Sequence, residues 1–260
     1  MVARSAAPTI QAFGLGQARA GTTSLVEVLG RSHRAEHEPE IEAAMTAAAL
    51  LARGDVSTRD VAAWLCERDQ RLSLHFDISF ANQFLIEPLM AAFPAVRFLV
   101  QVRDPYTWIE SVVGHLLHDP LPPAVMRELA MLLQPERHAM SSHDRELARR
   151  GLYPLATLAT AWSHHLDVCL AIPAERRLVL RTHELERSTD RLAAFLHIPI
   201  ASLAGPPKHL NQGRAPFDID TVVDRRHLED TIATQCDRHR KVLFPGIDSL
   251  DRAREMMASR

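Results

Sequence analysis

Short apolar runs alternate with stretches of helical periodicity along most of this 260-residue chain. Four runs rich in β-branched and aromatic residues predict strands at residues 9–16, 72–79, 96–103 and 177–181. The segments between them predict helices at 22–30, 40–53, 58–69, 84–93, 106–118, 122–133, 143–172, 184–197 and 222–243. A further short strand is expected directly after the first helix. This alternation is typical of an α/β fold with a central parallel sheet flanked by helices.

Composition limits the classes of function. With 47% hydrophobic residues the chain can bury a substantial core, and we expect a single domain over residues 1–260. A net charge of −2 argues against a general nucleic-acid binder. The three cysteines are isolated, which argues against a disulfide framework and a CxxC metal site. Since no signal core and no membrane-length run is present, we expect a soluble, cytoplasmic protein.

Residues 13–25, FGLGQARAGTTSL, join a predicted strand to a predicted helix through a glycine-bracketed turn. Backbone N–H groups in such a turn, with the positive end of the helix, can hold an anion. Gly16 and Gly21 have the G-x-x-x-x-G spacing of a nucleotide-triphosphatase loop, but a Thr-Thr pair replaces its Lys-Ser/Thr pair. The basic residue is Arg19 instead, which can donate charge-assisted hydrogen bonds to a phosphate or sulfate. The open alternative is an ordinary turn capped by threonine.

A second polar cluster follows the predicted strand at 96–103. Arg103 ends the strand, Asp104 can cap the next helix, and Pro105 suits its first position. Ligands of open α/β sheets bind beyond the carboxyl ends of the strands, so Arg103 is placed to meet one. The alternative is that Arg103 pairs with a carboxylate and that Ser111 is an incidental helix residue.

Both motifs resemble those of bacterial sulfotransferases that use 3′-phosphoadenosine 5′-phosphosulfate (PAPS). Residues 19–23, RAGTT, are similar to the 5′-phosphosulfate-binding loop of that family. Residues 103–105, RDP, with a serine eight residues after the arginine, are similar to its 3′-phosphate site. The resemblance implies that PAPS, or the product 3′-phosphoadenosine 5′-phosphate (PAP), is bound by Gln17, Ala18, Arg19, Ala20, Gly21, Thr22, Thr23, Ser24, Arg103 and Ser111.

Weaker similarities extend over the rest of the chain. Residues 178–185, LVLRTHEL, resemble the late strand of the family, and residues 195–199, FLHIP, resemble its Phe-Leu-Gly-Leu/Ile-Pro segment with His197 in place of glycine. Residues 208–214, KHLNQGR, resemble the loop that closes over the 3′-phosphate. This last similarity adds Lys208, Gly213 and Arg214 to the implied nucleotide site, and an exposed loop is the alternative.

The resemblance implies transfer of the sulfuryl group of PAPS to an acceptor hydroxyl by in-line displacement, without a metal. Such a transfer needs alignment, charge stabilisation, for which Arg19 is placed, and a base for the acceptor proton. Related bacterial and Golgi-type enzymes place a catalytic glutamate in a Glu-Pro context after the first helix, which makes Glu38 the preferred base. His37 is the alternative base, by comparison with the cytosolic animal branch. The alternative is that Glu38 has no catalytic role and its negative charge stabilises the N-terminus of the next helix through the helix dipole.

The acceptor is predicted from weaker signals. His75, Asp77 and Ser79, at a predicted strand end, are candidates for orienting it. The region at about 115–162 is rich in Leu, Met and Pro and is expected to be a helical insertion, either a lid over an apolar pocket or an ordinary helical layer.

We expect the acceptor to be a hydroxylated small molecule such as a secondary metabolite, with no nucleic acid and no membrane as partner. Two other classes of function stay open. One is a non-catalytic PAPS- or PAP-binding protein, and the other is a P-loop-type small-molecule kinase.

Overall fold

A computed structural model describes residues 9–203 and 217–258. Its five strands form one parallel sheet in the order β2-β3-β1-β4-β5. The strands are β1 (Ala12–Gly14), β2 (Ala35–His37), β3 (Phe76–Ile78), β4 (Arg97–Val102) and β5 (Arg177–Arg181). The predicted parallel sheet is confirmed, and so is the short strand after the first helix.

Helices lie between and beyond these strands. They are α1 (Thr22–Leu29), α2 (Ile41–Arg53), α3 (Thr58–Leu72), α4 (Ile86–Ala92), α5 (Pro105–His118), α6 (Pro123–Leu133), α7 (Arg145–Arg149), α8 (Leu155–Leu170), α9 (Thr189–Leu196), α10 (Arg225–Gln235), α11 (Asp237–Leu243) and α12 (Leu250–Ala258). None of the helices in residues 9–203 and 217–258 combines the length and hydropathy that a bilayer crossing needs.

The sheet is buried on both faces, because successive residues of its strands enter two separate apolar cores. Phe98 and Val100 of β4 belong to the larger core, which also contains the central residues of α5 and α8. Leu99 of β4 belongs to the smaller core, where it packs with Leu25 of α1 and Leu192 of α9. Burial on both faces explains why β4 is a continuous apolar run rather than an alternating one.

The parallel arrangement brings five chain segments to one edge of the sheet. The carboxyl ends of all strands point to the same side, so the residues that follow each strand meet there. Residues 15–21 follow β1, Glu38 follows β2 and Ser79 follows β3. Arg103 follows β4 and Thr182 follows β5. These candidate functional residues therefore lie together at this edge of the sheet.

Several helix and strand boundaries differ from the sequence prediction. The predicted helix at 143–172 is two helices, α7 and α8, because Gly151 has φ of 70° and Pro154 is the N-cap of α8. The predicted helix at 222–243 is divided at Cys236. Helix α3 continues to Leu72, which shortens the predicted strand at 72–79, and α12 was not predicted.

Candidate active site

The loop between β1 and α1 has an unusual backbone. Arg19 has φ of 70° and Gly21 has φ of 90°, both in the left-handed region. A Cβ atom on Gly21 would lie 2.8 Å from Cγ2 of Thr182, so this position excludes a side chain for two independent reasons. The conformation turns the chain sharply into α1, whose first N–H groups have no partner within the helix. The loop thus has the geometry of an anion cradle.

Four consecutive carbonyl groups of this loop each accept a hydrogen bond from a side chain behind it. The donors come from β4, from the residue after it, from the start of α5 and from the residue after β5. The four pairs are Trp108 Nε1 to Ala18 O (2.9 Å), Arg103 Nη1 to Arg19 O (3.4 Å), Thr182 Oγ1 to Ala20 O (2.5 Å) and Gln101 Nε2 to Gly21 O (2.8 Å). We call these four donors the carbonyl clamp. A peptide unit points its C=O and N–H in opposite directions, so the clamp turns the loop N–H groups away from it.

The two sharp motifs of the sequence are in direct contact. Arg19 Nε donates a hydrogen bond to Ser111 Oγ over 3.2 Å, and Arg103 Nε donates one to Thr107 Oγ1 over 2.9 Å. Asp104 caps α5 by accepting from the Thr107 backbone N–H at 2.9 Å, with Pro105 in the first turn, which confirms the predicted start of this helix. The two guanidinium groups are therefore fixed on neighbouring elements.

Glu38 follows β2 in a left-handed conformation, with φ of 55°. Its Oε2 accepts a hydrogen bond from Ser79 Oγ at 2.7 Å, and its Oε1 accepts one from the Phe80 N–H at 3.3 Å. Burial raises the pKa of Glu38 to about 7, and these two hydrogen bonds only partly oppose that shift. A carboxyl group with a pKa near neutrality is suited to general acid–base chemistry.

His37 lies between this carboxylate and the loop. Its Nε2 is 2.8 Å from Thr22 Oγ1 at the start of α1 and 3.7 Å from Glu38 Oε1. Burial lowers the pKa of His37 below its ordinary value, which favours a neutral ring at pH 7. His37 therefore connects the anion cradle to Glu38.

A cleft of about 740 Å³ opens over these groups. The predicted site residues that line it are Ala18, Arg19, Gly21, Thr22, Thr23, Ser24, His37, Glu38 and Arg103. Gln17 lines an adjoining cavity, Ala20 is fully buried, and Ser111 reaches the site through Arg19. Lys208, Gly213 and Arg214 lie outside the described residues.

We compared the sequence with protein-family models and the fold with solved structures. Residues 11–214 match the family model described as the sulfotransferase domain. The chain belongs to the sulfotransferase family. A sulfotransferase from Alicyclobacillus acidocaldarius has the same fold, with a TM-score of 0.53 and 17% identity over 95% of this chain and 99% of that one.

Two further sulfotransferase structures were found. The sulfotransferase STF9 from Mycobacterium avium gives a TM-score of 0.48 at 15% identity and covers 89% of this chain and 77% of that one. The sulfotransferase domain of the olefin synthase from Synechococcus PCC 7002 gives a TM-score of 0.44 at 15% identity. The match covers 97% of this chain and 94% of that one. No curated protein sequence matched the chain.

The predicted acceptor-orienting residues of this sulfotransferase are only partly at the site. Ser79 lies at the site, because it contacts Glu38. His75 lies away from the site, because it precedes β3. Its Nδ1 accepts a hydrogen bond from the Arg34 N–H at the opposite edge of the sheet. That prediction was wrong because β3 starts at Phe76 and not at Leu72, which leaves His75 at the amino end of the strand.

The role predicted for Asp77 was also wrong. Its side chain is 1% exposed and forms an ion pair with Arg68 of α3, so it cannot reach an acceptor. Arg68 also donates to Pro39 O over 2.6 Å and lies 3.3 Å from Glu40 Oε2. The guanidinium thus holds the turn that carries Glu38.

Arg68 was missed in the sequence, although a signal was present. Val61, Leu65 and Arg68 lie on one buried face of α3. A charged residue therefore stands at a position where the helical repeat calls for an apolar one. A buried arginine requires a buried partner, and Asp77 is a carboxylate inside the apolar run that follows the helix.

The close packing of the loop predicts a difference between two glycine substitutions. Gly21→Ala and Gly54→Ala both place a Cβ at positive φ, which costs about 1–2 kcal/mol. Only Gly21→Ala also meets neighbouring atoms, since space around Gly54 is open to 4 Å. We therefore expect the larger loss in the free energy of unfolding for Gly21→Ala, measured by denaturant titration. Equal losses would contradict the packing described.

The buried ion pair predicts a second stability effect. Arg68→Met leaves the Asp77 carboxylate buried without its partner, and should lower the free energy of unfolding by about 3–5 kcal/mol. The double variant Arg68→Met/Asp77→Leu should recover most of this loss.

A matched control is Arg71→Met on the same helix. Arg71 is 54% exposed and pairs with Glu40, so the expected loss is below about 1 kcal/mol. If Arg68→Met proved as mild as Arg71→Met in urea titrations, the structural role assigned to Arg68 would be incorrect.

Proposed function

We propose that this sulfotransferase transfers the sulfuryl group of PAPS to a hydroxyl of a small-molecule acceptor, with Glu38 as the base. The observation that carries the proposal is the contact between Arg19 and Ser111, at 3.2 Å. It joins the loop suited to the phosphosulfate with the element suited to the 3′-phosphate, on a cleft that also exposes Glu38.

The described residues fit an anionic nucleotide. The loop N–H groups and Arg19 would hold the 5′-phosphosulfate, and Arg103 with Ser111 would hold the 3′-phosphate. Gly21 lines the cleft, and its lack of a side chain lets the loop pack closely against Thr182 and Gln101 behind it. Lys208, Gly213 and Arg214 belong to the proposal as further phosphate-binding residues. None of these roles requires a metal.

The reaction proposed is a single displacement. The acceptor oxygen forms a bond to sulfur, the bond from sulfur to the bridging phosphate oxygen breaks, and the acceptor proton passes to Glu38. PAP leaves with the electron pair of the broken bond. Arg19 lies on the donor side of the cleft, where negative charge develops on the leaving phosphate. His37 would hold the Thr22 hydroxyl and Glu38 in fixed positions through its ring.

The acceptor side is formed by the predicted helical region. Leu121 and Pro122, which precede α6, and Val125 in its first turn line the cleft, which supports a contribution of residues 115–162 to the acceptor site. A lid movement of this region and a single domain over the whole chain stay predictions. A cytoplasmic location is part of the proposal and is supported by the three free cysteines, Cys66, Cys169 and Cys236.

Substitution of the proposed base gives a direct test. Glu38→Gln should lower the rate of sulfate transfer from radiolabelled PAPS by about 10²–10⁴-fold, because the amide cannot accept the acceptor proton. The matched control is Glu36→Gln, an exposed carboxylate on β2 two residues away, which should keep the wild-type rate. Full activity of Glu38→Gln would exclude Glu38 as the base.

The pH profile separates the two candidate bases. Glu38 must be deprotonated to act, and burial raises its pKa to about 7, so kcat/KM for an alcohol acceptor should rise with pH and level off above about 7. Burial lowers the pKa of His37, so a profile controlled by His37 would have its midpoint below pH 6.5. A midpoint below 6.5 that persists in Glu38→Gln would assign the base to His37.

A further inference from the structure

A second cavity of about 590 Å³ adjoins the cleft. It lies among helices α2, α5, α6 and α8, and most of its wall is apolar. Ala18, Phe80, His115 and Leu121 line both the cavity and the cleft. Cavities of this size and lining hold drug-sized organic molecules.

Helix α6 forms an apolar stripe that passes from the cleft into the cavity. Val125 in its first turn lines the cleft, whereas Leu129 and Leu132 line the cavity. Their spacing of four and three residues places all three on one face of the helix. Helix α2 follows the same course, since Ile41 at its start lines the cleft and Leu51 near its end lines the cavity. The cavity therefore leads away from the cleft along both helices.

The end of α6 brings a positive charge to the cavity. Gln134 is the C-cap of the helix, and Arg137 and His138 follow it closely in the chain. All three residues line the cavity. The side chain of Arg137 is exposed, so a ligand can reach its guanidinium group.

The cavity wall carries no opposing negative charge. Neither aspartate nor glutamate is among the residues lining it in the part of the chain that the structure describes. The ionisable side chains of the wall are those of Arg137, His115, His138, His164 and Tyr153. Because a guanidinium is always charged in proteins, the wall attracts an anion and repels a cation.

The length of α6 sets the distance between the cleft and this basic end. The helix has 11 residues. At about 1.5 Å per residue it is about 16 Å long. An extended carbon chain advances about 1.25 Å per carbon, from bonds of about 1.5 Å and angles of about 111°, so about 12 carbons span that distance.

We propose that the acceptor is a long-chain hydroxy acid whose hydroxyl reaches Glu38, whose apolar chain fills the second cavity and whose carboxylate meets Arg137. The inference rests on the proposed function, since it treats the cavity as the binding site for the acceptor body. Arg137 is then a specificity-determining residue, and the acceptor carries its hydroxyl and its negative charge at opposite ends.

The test titrates 12-hydroxydodecanoic acid and dodecan-1-ol calorimetrically into the protein in the presence of PAP. Arg137→Gln should bind the acid about fivefold more weakly than wild type does, because an ion pair is lost, and should bind the alcohol equally well. The matched control is Arg127→Gln on the same helix. Arg127 is 72% exposed and is not among the lining residues, so this variant should bind the acid like wild type.

Charge reversal gives a second readout with the same ligand length. Arg137→Glu should bind 12-aminododecan-1-ol more tightly than 12-hydroxydodecanoic acid, whereas wild type should prefer the acid of these two. Equal losses of affinity for the acid and the alcohol in Arg137→Gln would indicate a structural effect and would overturn the proposal. Failure of wild type to bind the acid, or an unchanged preference in Arg137→Glu, would also overturn it.

Assays of sulfate transfer keep the two proposals apart. If the acid binds through Arg137 but wild type transfers sulfate to no hydroxyl, the proposed function fails and the cavity site stands. If sulfate is transferred from PAPS, yet Arg137→Gln binds the acid as tightly as wild type does, the proposed function stands and this inference fails.

Discussion

The site depends on the carbonyl clamp formed by Gln101, Arg103, Trp108 and Thr182. The loop after β1 is irregular, and irregular backbone has no ladder of its own to satisfy its polar groups. The clamp supplies donors to four loop carbonyls in succession. With the carbonyls held on one side, the N–H groups of Gly21 and Thr22 face the other side, whereas the Ala20 N–H donates to Gln17 O at 3.0 Å within the loop. The parallel sheet makes this possible, since it brings the ends of β4 and β5 behind the loop that follows β1.

The basic and acidic side chains of the site lie on opposite sides of the cleft. Arg19 and Arg103 lie on the side of the loop and α5, whereas Glu38 lies on the side of β2 and is surrounded by Ser79, Phe80 and His37. Burial raises the pKa of Glu38 to about 7, a value matched to proton transfer near neutral pH. Arg19, Glu38 and Glu40 all have positive φ. Strained backbone of this kind persists where surrounding contacts hold it, as Arg68 does for the turn at Glu38.

The sequence predicted those parts of the site whose residues are neighbours in the chain and directly follow a strand. The glycine-bracketed loop, the Arg-Asp-Pro start of α5 and the Glu-Pro turn after β2 each depend on neighbouring residues, and all three were placed correctly at the carboxyl edge of the sheet. The clamp could not be predicted, because it joins residues about 80 to 160 positions apart. His75 was misplaced by a helix that continued three residues further than expected, to Leu72. Such boundaries depend on tertiary packing more than on propensity.

Calorimetric titration of the wild-type protein with PAP, and separately with ATP and Mg²⁺, tests the central claim most directly. The proposed site has one part for a 5′-phosphate group and another, around Arg103 and Ser111, for a 3′-phosphate that ATP lacks. We therefore expect PAP to bind at least about tenfold more tightly than ATP. Tighter binding of ATP in the presence of Mg²⁺ would contradict it.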